Sequence, residues 1–187
     1  MWIIREVGLE LSTILVKLAD SQSAFLYAAD RISPHDWKSK PSAQEWSASE
    51  VVAHVVMVER AVLRTAQGII RKPPREVRFW EQVHLPLWLV EIRLIRLKTP
   101  IALDPAMIAD KEEMLGELRL TRERTLDFLA QTQNRDLGAY GWTHVFLGRL
   151  NLYEWFGMIA AHQVRHTKQI REICERLPKV VENSRNQ

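Results

Sequence analysis

The chain has little cysteine, little glycine, no long apolar run and no block of charge of one sign. Its one cysteine, Cys174, leaves no partner for an internal disulfide. Seven glycines among 187 residues are too few for a turn-rich all-β fold. No segment reaches the ~18 consecutive apolar residues that a membrane-spanning helix needs. The N-terminus, "MWIIREVGLELSTILVKL", lacks a basic leading region, and Arg5, Glu6 and Glu10 interrupt its apolar residues. It therefore reads as neither signal peptide nor membrane span, and the expected location is cytoplasmic. The net charge is +3 and the pI about 9.2, but Lys and Arg are interspersed with Asp and Glu. That spread describes a solvated surface, so neither nucleic acid nor membrane is expected as a partner.

What is present is helical periodicity. The length favours one domain, residues 1–187, with 178–187 as a flexible tail. A first helix is expected over about residues 3–31. Ile4, Val7, Leu11, Ile14, Leu18, Ser21, Phe25, Ala28 and Ile32 recur at steps of three and four, one face of a packed helix. The prolines of "SPHDWKSKPS" end it. A second helix opens at "SASE", where Ser47 and Glu50 have capping-box spacing. Val51, His54, Val55, Val58 and Val62 then share a face, while Val52, Val56 and Met57 make the helix apolar nearly all round. Such a helix touches several neighbours or a second subunit.

Residues 76–100 are apolar and aromatic but are interrupted by Pro86, so one or two short kinked helices that cover an opening in the bundle are expected. A third long helix is expected from Asp104 as N-cap, with Pro105 in its first turn, to about Gln131. Its inward residues are Ile108, Leu115, Leu118, Thr125 and Leu129, with Arg122 on the same stripe. "QNRDLGAYGW" reads as a loop, and strands are hard to place anywhere. The last helix starts at the Asn151–Glu154 capping-box pair and turns Leu152, Trp155, Ile159, His162, His166, Ile170, Ile173 and Leu177 inward. Four long amphipathic helices make an all-α four-helix bundle the simplest architecture.

Two histidines, His162 and His166, fall within that last apolar stripe. An H-x3-H pair alone is a weak signal, since six histidines make the spacing easy to meet by chance. Its place in the stripe adds weight, because a buried imidazole without a partner costs about 1–3 kcal/mol. Rings at i and i+4 leave the same helix face and reach one ion together. His54, on the edge of the second helix's apolar face, is the candidate third ligand, although a lone histidine there is more often a satisfied core residue. Three imidazoles leave coordination positions open, the pattern of a catalytic site, and suit zinc, nickel, copper or iron about equally. His84 and His144 are candidate fourth ligands or substrate contacts, whereas His35 in its loop reads as solvated. Arg122 on an inward stripe needs an anion. A structural salt bridge provides one, and a substrate carboxylate clamped near the metal would be the functional alternative. Cys174 reads as a core or surface thiol.

These residues carry a resemblance. "EWSASEVVAHVVMVERAVL" is similar to the second-helix motif of the DinB-like superfamily, and "LGRLNLYEWFGMIAAHQVRHTKQIREI" resembles its last-helix motif. "DWKSKPSAQEWSASE" and "RLKTPIALDPAMIADKEEMLGELRLTRERTL" resemble the loop between its first two helices and its third helix with its approach. The resemblance spans roughly residues 5–177. It implies an up-down-down-up four-helix bundle, with extra helical segments between the second and third helices. It also implies a divalent metal, zinc or nickel, on His54, His162 and His166. Many members carry a His-Pro-x-x-Gly turn before the last helix; here the turn reads "HVFLG", without the proline. The family includes thiol-dependent S-transferases and isomerases, often homodimeric. The expected function is therefore a metal-dependent thiol S-transferase or related hydrolase, acting on a small molecule with a low-molecular-weight thiol as co-substrate. The alternative is a non-catalytic stress-response or binding protein whose metal is structural or vestigial.

Overall fold

The computed structural model describes residues 11–74, 85–91 and 108–177. Four long helices dominate them: α1 (Leu11–Asp30), α2 (Ala48–Ile69), α4 (Lys111–Gln131) and α5 (Leu152–Arg176). A short helix, α3 (Trp88–Glu91), lies between α2 and α4. A 3-10 turn (Leu137–Ala139) and two strands, β1 (Gly141–His144) and β2 (Gly148–Asn151), lie between α4 and α5.

Two apolar clusters fix the helix directions. One joins Phe25 and Ala28 at the end of α1 to Val51 and Val52 at the start of α2, Met114 and Leu115 at the start of α4, and Ile170 and Ile173 at the end of α5. The other joins Ile14 and Leu18 of α1 to Val62 and Ala66 of α2, Phe128 and Leu129 of α4, and Leu152, Phe156 and Ile159 of α5. The long helices therefore run up, down, down, up, as the resemblance implies. Because α2 and α4 point the same way, the chain between them must return about the 33 Å of a 22-residue helix. This explains why the longest connection falls there.

A polar layer lies within this core. Arg122 of α4 grips Glu59 of α2 through Nε–Oε1 at 2.7 Å and Nη2–Oε2 at 2.9 Å. Its Nη2 also donates to Gln163 Oε1 of α5 at 2.9 Å, and its Nη1 donates to the Leu18 carbonyl of α1. Ser21 Oγ donates to the same Gln163 oxygen at 2.9 Å. Four helices thus meet on one buried guanidinium, which is 1% exposed. Paired this way, Arg122 takes the structural role, and its anion is Glu59, not a substrate carboxylate.

The helix caps follow the sequence in two places. Ser47 with Glu50, and Asn151 with Glu154, each form a complete capping box. The third does not follow: α4 starts at Lys111 and residues 108–110 are not helical, so no helix runs through from Asp104. Asp110 holds the N-cap position, with its carboxylate turned to Lys38 at 3.0 Å. The broad apolar surface of α2 is largely used within the chain: Val52 and Val56 are fully buried, and Met57 and Val58 half-buried. Of the first stripe, Ile4 and Val7 lie outside the described residues, as do His84, Asp104 and 178–187.

The sequence offered no clear place for strands, yet two form between α4 and α5, the first overlapping the end of the expected loop. β1 and β2 pair antiparallel, with Trp142 opposite Leu150 and His144 opposite Gly148. Two glycines permit this. A Cβ on Gly141 would lie 2.2 Å from the Leu150 carbonyl oxygen, and Gly148 closes the three-residue turn at φ 94°. The hairpin is too short to show a strand period in sequence.

Replacing Arg122 with Met should cost about 3–5 kcal/mol in urea unfolding, because Glu59 is left as a buried, unpaired carboxylate. The double variant Glu59→Leu/Arg122→Met should recover much of that loss. A double variant as unstable as the sum of the two singles would show that the ion pair is not what couples them.

Candidate metal centre

α2 and α5 pack so that His54, His162 and His166 converge. His54 Nε2 lies 3.1 Å from His162 Nε2, and His166 Nε2 lies 3.1 Å from the same atom. All three ligand atoms fall within 4.8 Å of one another, and no carboxylate joins the group among the described residues. The structure thus brings together the three candidate ligands from two helices.

Hydrogen bonds alone do not account for this arrangement. A ring nitrogen has one in-plane site, either an N–H or a lone pair. His162 Nε2 therefore bonds at full strength to one neighbour at most and shares only weakly with the other. His166 donates its Nδ1–H to Gln169 Oε1 at 2.8 Å, which leaves Nε2 as a bare lone pair. His54 Nδ1 is buried without a partner, and the ring packs edge-on to Trp46 at 5.1 Å. Nitrogens bound at 2.0–2.1 Å to one ion stand about 3.3 Å apart in a tetrahedron and about 2.9 Å apart at cis octahedral positions. The observed 3.1 Å falls between, so these residues fit a divalent ion.

Electrostatics favour the ligand form. Burial pulls the His54 pKa from 6.5 down to about 4. His162 is held well below its usual value, first by burial and then by the charges that His166, His54, Arg165 and His144 would place near it. His54 and His162 are therefore neutral at pH 7, with their lone pairs available. His54 and His166 are 5% and 6% exposed, and His162 is half-buried.

Two elements pack against α5 on either side of its histidines. α3 lies along α5: Arg165 Nη1 reaches the Val90 carbonyl at 3.5 Å, and Lys168 Nζ reaches that of Glu91 at 3.1 Å. Thus the described part of the apolar 76–100 segment packs against the helix that bears two of the histidines, with Pro86 just before its helical turn. The hairpin borders the other end. Period-two alternation puts Trp142 and His144 on one face of β1. Trp142 stacks on Trp155 at 4.2 Å and His144 tilts over it at 5.2 Å. Trp155 in turn donates Nε1–H to the Trp142 carbonyl at 3.2 Å.

Several contributors were not read from the sequence. Gln169 stands three residues after His166, a helical spacing at which a partner could have been sought. Trp46 and Trp142 depend on tertiary packing and left no local signal. Cys174 is half-buried, its Sγ 3.8 Å from the Arg31 carbonyl, and takes no part in the group.

A helical fold running up, down, down, up, with three histidines gathered from its second and last long helices, defines a class of metal-competent helical proteins. The DinB superfamily family model matches residues 17–170, and the chain belongs to that superfamily. It is 28% identical over 147 residues to the uncharacterized protein YuaE of Bacillus subtilis (strain 168), covering 78% of this chain and 88% of YuaE. No solved structure matches the chain.

Metal-free protein should lose stability as pH falls from 6.5 towards 4. His54 is pushed down to about 4 in the fold, so in this window the unfolded chain binds the extra proton and folding is opposed. The contribution is on the order of a few kcal/mol across the window. Urea unfolding of chelator-treated wild type and His54→Phe should show a steeper pH slope for wild type. Equal slopes would mean that His54 is not the titrating group.

Proposed function

We propose that this protein is a metal-dependent enzyme, a thiol S-transferase or related hydrolase, with a divalent ion on His54, His162 and His166. The observation that carries the reading is the convergence of three Nε2 atoms that protons cannot satisfy together. A divalent ion there supplies a Lewis-acid centre that lowers the pKa of a thiol or a water in its open position.

The chain's own residues bias what enters. Three neutral imidazoles leave an ion's charge uncompensated, and no carboxylate joins them among the described residues. Arg165 adds positive charge near His162. An anion is therefore favoured on the open side, and a thiolate supplies one. Gln169 holds the His166 ring in orientation, and His54 and His166 are shielded from water. The ion is zinc or nickel, as the family resemblance implies, and the thiol is of low molecular weight. The homodimer expected from the resemblance remains part of this proposal.

Purified protein should carry close to one equivalent of metal, and added zinc or nickel should raise its Tm. His54→Ala and His166→Ala should each lower metal affinity at least tenfold. A panel of low-molecular-weight thiols with an electrophilic acceptor should give turnover that a chelator abolishes. No bound metal together with no Tm shift sinks the site; metal binding without turnover leaves the site and sinks the transferase.

A further inference from the structure

His144 has no role in holding the three-histidine group, yet its ring is fixed in a definite state. It ends β1, and its Nδ1 accepts two backbone N–H groups of the following turn, from Phe146 at 3.1 Å and Leu147 at 3.2 Å. A nitrogen that accepts carries no proton, so the neutral ring keeps its hydrogen on Nε2. That Nε2–H has no acceptor among the described residues, and the half-buried ring does not count among the buried unsatisfied groups.

The ring's location gives the free donor meaning. His144 leans on Trp155 at 5.2 Å, and Trp155 lies seven residues before His162 on the same face of α5. Seven residues rise about 10.5 Å along a helix. The donor therefore stands about two helical turns along α5 from His162, at the hairpin end of the histidine group.

We propose that His144 is a substrate-binding residue, whose Nε2–H donates to an oxygen acceptor, a carboxylate or carbonyl, on a thiol held at the three-histidine centre. The inference rests on the thiol reading above. It assigns the turn's histidine two functions: Nδ1 shapes the turn and Nε2 reads the ligand. A side chain that kept only the first would leave the fold intact and the ligand preference lost.

Asparagine and glutamine separate the two. In His144→Asn the amide oxygen replaces Nδ1 and nothing replaces Nε2–H; in His144→Gln the amide nitrogen reaches the Nε2 position. The probe is cobalt(II)-loaded protein, titrated with 3-mercaptopropionate and with 1-propanethiol and followed by the cobalt absorption bands. Wild type should prefer the carboxylate-bearing thiol. His144→Asn should weaken 3-mercaptopropionate roughly 3- to 10-fold, the loss of one hydrogen bond, with 1-propanethiol unchanged and His144→Gln keeping most of the preference. An unchanged affinity in His144→Asn, or an equal loss for both thiols, overturns the proposal. If neither variant folds, the wild-type comparison decides, and equal affinity for the two thiols overturns it. Failure of cobalt to bind, or of either thiol to perturb its bands, is distinguishable, since it overturns the thiol reading itself and this inference with it.

Discussion

A guanidinium buried among four helices must find its anion within the chain, and Arg122 finds it in Glu59. The geometry is two-pronged, at 2.7 and 2.9 Å, with Gln163 and the Leu18 carbonyl taking further donors. Such a pair is poor evidence of net stability, because desolvating two charges costs several kcal/mol each. Its effect is on register. The two apolar clusters on either side would tolerate sliding or rotation of a helix, since methyl groups have no direction. A forked ion pair does not tolerate it. Gln163 adjoins His162 in α5, about 100° away around the helix. Rotating α5 by one residue would take Gln163 from Arg122 and His162 from His54 together. The polar layer and the three-histidine group therefore depend on the same helix orientation.

The histidine group shows the opposite economy. Its rings are desolvated, one nitrogen of His54 has no partner, and the three Nε2 atoms cannot all be satisfied by protons. An apolar triad would pack there at less cost. The fold carries the arrangement because the helices are fixed elsewhere, by their caps, the two clusters and the Arg122 layer. Sites that break the local rule of satisfied burial while their surroundings obey it are where function is expected. The three imidazoles are such a place.

Much of this was legible because it is local. The boundaries of α2 and α5 follow from Ser47–Glu50 and Asn151–Glu154, each a box within four residues. The stripe of α5 placed His162 and His166 inward, and the edge of the apolar face of α2 offered His54 as the third ligand, which the resemblance also implies. What was not legible depends on partners distant in sequence. Arg122 could be placed on an inward stripe, but only packing reveals that Glu59, 63 residues away, is its anion. The strands of the hairpin have four residues each, and the close approach of Gly141 to the Leu150 carbonyl leaves no periodic trace. Asp104–Pro105 is a sound helix start locally, yet α4 begins at Lys111, so local capping signals do not by themselves choose among candidate starts.

The missing proline in the turn before α5 sharpens the account of that turn. Proline restricts the backbone by covalent geometry. Here the side chain of His144 helps hold the turn instead, its Nδ1 accepting the N–H groups of Phe146 and Leu147 while Gly148 takes the positive φ. Proline at position 145 would leave both of those amides in place, so its absence is compatible with the same cap. A turn held by an imidazole is also tied to that ring's protonation state. Protonating Nδ1 would set an N–H against two N–H donors, and partial burial already disfavours the cation. The turn therefore keeps His144 neutral, and the neutral tautomer keeps a donor on Nε2. The contact that closes the hairpin is therefore also the one that fixes the tautomer of the ring.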